Sequence, residues 1–202
     1  MKKNILNSIL IVVWFGVIFT ILLCINKKPT TMYQCRKDIQ IKQVNEYLYM
    51  EEDCSKEELE QAQSLLGYVP TSLFEDFRSE NGKVILVSNL KDNCIGSTEI
   101  NEKGITIYIK RDYAFDALLH EFGHVYLHFH PMEEDFKELY KTEAKSLVKS
   151  YYGDCPYYYS DEIEYFAQSF QTVLVMRGYD TQDAAPKTFS YMIDLIKELY
   201  SE

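Results

Sequence analysis

The chain has 202 residues, enough for one ordinary domain with a short appendage, and its 47% apolar and 14% aromatic content supplies a core for that domain. Acidic residues outnumber basic ones by 31 to 21, and four of the basic ones (Lys2, Lys3, Lys27 and Lys28) flank one apolar stretch, leaving 17 Lys and Arg against 31 Asp and Glu in the rest. That surplus repels a phosphate backbone and excludes nucleic acid as the expected partner.

Residues 5–25 are apolar except for Asn7, Ser8, Gly16, Thr20 and Cys24, and as a helix they are long enough to cross a hydrocarbon core of ~30 Å. The segment 1–28 reads as an uncleaved signal anchor, a single-pass transmembrane helix with the lipid bilayer as partner. A cleaved secretory signal is the alternative, although no small-x-small site follows the apolar run. The short tail with Lys2 and Lys3 belongs in the cytoplasm, so the large domain is expected outside the cell membrane. Beyond the anchor, Cys35, Cys54, Cys94 and Cys155 allow two disulfides in an oxidising exterior, with three pairings open; four separate thiols fit equally. Their spacing is not that of a structural zinc site.

Residues 29–45 read as a polar linker or a small strand, and the domain as 46–202. Ser55 followed by Glu58 makes a capping box, after which Leu59, Ala62, Leu65 and Leu66 recur at helical spacing until Gly67 and Pro70. Leu73, Phe74 and Phe77 predict a short helical segment ending near Asn81-Gly82. Residues 84–87 form a strand-type apolar run, and Ile105, Ile107 and Ile109 alternate after a turn at residues 101–104. From Asp112 the period becomes helical, with Phe115, Leu118, Leu119, Phe122 and Val125 on one stripe before Pro131. A helix over 133–149 precedes a tyrosine-rich loop, 151–159. Ser160 can cap the next helix, in which Ile163, Phe166, Ala167, Phe170, Val173 and Leu174 repeat. Pro186 opens a last helix with Phe189, Met192, Ile193, Ile196 and Leu199 inward. The fold class expected is α+β: a mostly helical domain with a small β-sheet.

Within the helix that follows Asp112, residues 120–124 spell His-Glu-Phe-Gly-His. Histidines four apart project from neighbouring turns of one face, so His120 and His124 can grip one Zn²⁺ per chain through neutral ring nitrogens. Glu121 between them is placed to take a proton from a water that the metal acidifies. A third ligand has to come from elsewhere. The extended motif with a third histidine needs glycine at position 127, where Leu127 stands, so His130 is a weak candidate. Glu164, at the start of an otherwise aromatic helix, is the better one, because a carboxylate at an apolar boundary needs a cation. Glu162 is the fallback, and first-turn acids are otherwise ordinary dipole partners. Small Gly123 can let another segment approach. Tyr151, Tyr152, Tyr157, Tyr158 and Tyr159 are indistinguishable from chemistry alone as oxyanion donors.

Residues 119–125, the helix from Glu164 to Phe170 and the tail 185–189 together resemble, in the same order, segments of the catalytic domain of anthrax lethal factor and its relatives, the Pro-Pro endopeptidases. The resemblance spans roughly residues 47–202. It implies a zincin-like metallopeptidase domain, a zinc metalloendopeptidase acting on protein or peptide substrates, with Glu164 as third metal ligand and Tyr157 assisting catalysis beside Glu121. Gln168 stands where relatives commonly carry a second glutamate, which leaves an alternative: a catalytically impaired zinc-binding or regulatory module of the same fold. An intramembrane protease is disfavoured by Asp112, Asp116 and His128 on the motif helix.

Overall fold

The computed structural model describes residues 40–91, 94–151, 161–175 and 183–201, with only the backbone of Lys145 and 147–151. The candidate anchor 1–28 therefore lies outside the described residues, as do Cys35, Cys155 and Tyr157. Among the described residues no helix is long and apolar enough to cross a membrane.

Five strands form one mixed sheet: β1 (Ile41–Gln43), β2 (Leu48–Glu51), β3 (Lys83–Val87), β4 (Gly96–Asn101) and β5 (Gly104–Lys110), in the order β1-β2-β3-β5-β4. β2, β3 and β5 run parallel, whereas β1 and β4 pair antiparallel at either side. β3 and β5 were legible from their aliphatic runs. The small-strand reading of residues 29–45 holds for β1, which forms part of the sheet together with β2. β4 was not foreseen; it is the first arm of a hairpin whose turn at Gly104, with φ of 122°, suits only glycine comfortably.

Alternation along β5 buries Ile105, Ile107 and Ile109 completely, and Val84 and Leu86 of β3 lie in register with Ile107 and Ile109. Helices cover that apolar face. They are α1 (Lys56–Leu66), α2 (Thr71–Ser79), α3 (Ala114–Phe129), α4 (Glu134–Tyr151), α5 (Glu162–Leu174) and α6 (Pro186–Ser201), with a 3₁₀ turn, Arg111–Tyr113, before α3. The capping box of α1 is present: the Ser55 hydroxyl accepts from the Glu58 N–H at 3.1 Å and the Glu58 carboxylate accepts from the Ser55 N–H at 2.6 Å. α3 is the central helix, packed against β4, β5, α1, α2 and α5. Its Phe122 meets Phe77 edge-on at 5.2 Å between ring centres.

Two helices differ in detail from their patterns. α5 is capped by Asp161, whose carboxylate accepts from the Ile163 and Glu164 N–H groups, both at 2.9 Å, and Ile163 is half exposed because the first turn projects beyond the packed face. In α6, Thr188 joins Met192, Ile196 and Leu199 inside, since its hydroxyl is 2.9 Å from that of buried Tyr165, while Phe189 and Ile193 are only partly covered.

Candidate metal centre

The two histidines and the downstream glutamate converge through one helix crossing. A Cβ on Gly123 would lie 2.6 Å from the Cα of Ala167, so glycine is what allows α3 and α5 to touch backbone to backbone. One turn before the contact on each helix stand His120 and Glu164, which therefore face each other. His124, one residue beyond Gly123 on α3, completes the set.

The separations are those of a chelate. His120 Nε2 lies 3.2 Å from Glu164 Oε2, His124 Nε2 lies 3.6 Å from Glu164 Oε1, and the two Nε2 atoms are 3.2 Å apart. An ion bound at ~2.05 Å to three corners of a tetrahedron needs donors roughly 3.3 Å apart; the two ring nitrogens meet that spacing and each has a different Glu164 oxygen close by, so the donor set suits Zn²⁺ in chemistry and lies near the spacing it needs. Among the described residues this is the one group of three or more such donors that qualifies. His130 is not a member: its ring stacks on Tyr126 with centres 4.6 Å apart. Glu162 is not a member either.

Burial tunes the charges. His120 is 6% exposed and the His124 side chain 19%. Burial, aided by the neighbouring His120, pulls the His124 imidazole down to about 4, against the opposing pull of Glu164 and Asp161, so its ring is neutral near pH 7, the form that binds a metal. Glu121 is likewise 6% exposed. Burial pushes its carboxyl up to about 7, with Glu164 adding in the same direction and His120 and the Thr98 hydroxyl opposing it.

Sequence reasoning missed the groups around that carboxylate. Thr98 Oγ1 donates to Glu121 Oε2 at 2.7 Å, and a Cβ on Gly96 would fall 2.4 Å from Glu121 Oε1. The available signal was indirect: a turn at 101–104 followed by a clear strand implies an arm before it. Gln168 is buried, one turn beyond Glu164.

No family model matches the sequence, and no curated protein matches it. Among solved structures, the Pro-Pro endopeptidase PPEP-2 from Paenibacillus alvei is similar, with a TM-score of 0.58 and 16% sequence identity over 73% of this chain and 96% of that one. At that identity the likeness is one of fold. It supports a fold related to that of a Pro-Pro endopeptidase, not membership of the lethal-factor family.

Proposed function

We propose that this chain is a zinc-dependent endopeptidase that hydrolyses protein or peptide substrates, with His120, His124 and Glu164 as metal ligands and Glu121 as general base. The observation that carries the reading is the spacing of the three ligand groups beside a buried glutamate on the same helix. The fold it shares with a protein known as an endopeptidase points the same way.

A zinc ion held there supplies a Lewis acid for the scissile carbonyl and brings a bound water to a pKa of about 7. The chain's residues do the rest. His120 and His124 each offer a neutral ring nitrogen, and Glu164 offsets one unit of the ion's charge while fixing it against α5. Glu121, buried beside the proposed ligands, takes the proton from the nucleophile on its carboxylate and returns it to the leaving amine. Tyr157, matched through the family resemblance, donates its phenolic hydrogen to the developing oxyanion. We further read residues 1–28 as a membrane anchor and the substrates as secreted or surface proteins, from the apolar run and its lysine flanks.

The full-length protein is to be incubated with a peptide library that includes proline-flanked bonds, with and without a chelator. Chelator-sensitive cleavage is expected, and Glu121→Gln should keep zinc while losing it. Should no peptide be cut, the alternative module without turnover, which Gln168 in place of a second glutamate leaves open, takes over.

A further inference from the structure

β4 lies at one side of the sheet, paired with β5 in a register that sets Gly96 opposite Ile109 and Thr98 opposite Ile107. Alternation therefore turns Gly96 and Thr98 toward the same face as those buried isoleucines, the face on which α3 packs. Glu121 meets both. One of its carboxylate oxygens accepts the 2.7 Å hydrogen bond from the Thr98 hydroxyl, and the other occupies the space where any side chain at position 96 would begin. The same hydroxyl stands 3.4 Å from the Glu121 carbonyl oxygen, so it reads the helix backbone as well as the side chain.

A glutamate has three side-chain torsions, and the proton it is to accept sits at one point. His120 and Glu164 act on the Glu121 carboxylate through charge, which is less directional than a hydrogen bond from Thr98. We propose that Thr98 is a positioning residue for the proposed general base: with Gly96 clearing the space for Oε1, its hydroxyl holds Oε2 and so fixes the orientation in which the carboxylate meets the nucleophile. The inference rests on the peptidase reading for its kinetic consequence but not for its structural one. The arrangement also explains why an unremarkable-looking segment needs glycine and a hydroxyl two residues apart: one position yields room and the other supplies a donor, on the same pleat.

Thr98→Val removes the hydroxyl at nearly constant shape on a strand that favours β-branched residues, so the fold is retained; Thr98→Ser restores the donor. A hydrogen bond to a charged group is worth enough that its loss corresponds to about a 10- to 100-fold change. Thr98→Val is expected to lower kcat by that factor with KM and zinc content within about twofold of the parent, and Thr98→Ser to recover kcat to within about threefold. Crystal structures of zinc-loaded parent and Thr98→Val proteins form the second arm, and in the valine variant the Glu121 carboxylate should leave its place over Gly96 while His120, His124 and Glu164 stay put. Unchanged kcat in Thr98→Val, an equal loss in Thr98→Ser, or an undisplaced carboxylate overturns the proposal. If the parent cleaves nothing, the peptidase reading fails by itself, and the position of the carboxylate in the two crystals still decides whether Thr98 holds it.

Discussion

Glu121 is carried inward by the helical turn between the two histidines, and its burial has a thermodynamic cost that can be measured without any substrate. In the metal-free chain its carboxyl is raised from 4.5 to about 7. Between those values the folded chain keeps a proton that the unfolded chain has released, so stability falls as pH rises through the window and the whole penalty is in place above 7. It is on the order of 3 kcal/mol. Metal-free Glu121→Gln should thus be more stable than its parent at pH 8 and nearly equal to it at pH 4, as read by urea unfolding; a difference independent of pH would show that the carboxylate is not the cause. At this scale much was legible in the sequence, because His120, Glu121 and His124 are spaced by the helix that bears them and Glu164 stands out as an acid against aromatic neighbours. Thr98 and Gly96 were not legible: they act through one strand pairing, and no local pattern marks a hydroxyl or a missing side chain as important.

At the scale of elements, the crossing of α3 and α5 is the feature on which the candidate metal centre depends. Gly123→Ala inserts a methyl group 2.6 Å from the Ala167 backbone, which cannot swing aside as a side chain could. The helices must part, at a cost of roughly 1–3 kcal/mol, and zinc affinity measured by competition with a chromogenic chelator should fall together with the melting temperature. Ser55→Ala serves as the contrast. It removes the cap of α1, which contributes none of the candidate ligands, and should cost about 1 kcal/mol of stability with zinc affinity unchanged in the same titration. The capping box, the periodicity of α1 and α3 and the alternation of β5 were all readable because each rests on local spacing. β2 and β4 were not, since Leu48–Glu51 and Gly96–Asn101 carry mixed residues whose strand character comes from the neighbours that they pair with. Likewise the exposure of Ile163 follows from where α5 begins to pack, which periodicity does not reveal.

For the molecule as a whole, an ion that binds the folded chain and not the unfolded one adds its binding energy to stability. At free zinc one hundred times the dissociation constant this amounts to about 2.7 kcal/mol, or a rise of roughly 5 to 10 °C in melting temperature for a chain of this size. Differential scanning calorimetry across a zinc titration should show that rise, a chelator should reverse it, and Glu164→Ala should flatten it. A melting temperature indifferent to zinc would count against the centre itself. The backbone contact at Gly123 and Ala167 has a mechanical corollary. His120 and Glu164 each sit three residues from it, about 4.5 Å along their helices, so the contact is a fulcrum and the proposed ligands are the tips of two short levers. A swing of about 10° between the helices parts those tips by roughly 0.8 Å, several times the ~0.2 Å tolerance of a metal–ligand bond. The grip on an ion bound there would therefore be a gauge of the angle between two helices, and whatever leans on α5 from outside would have a way to loosen it.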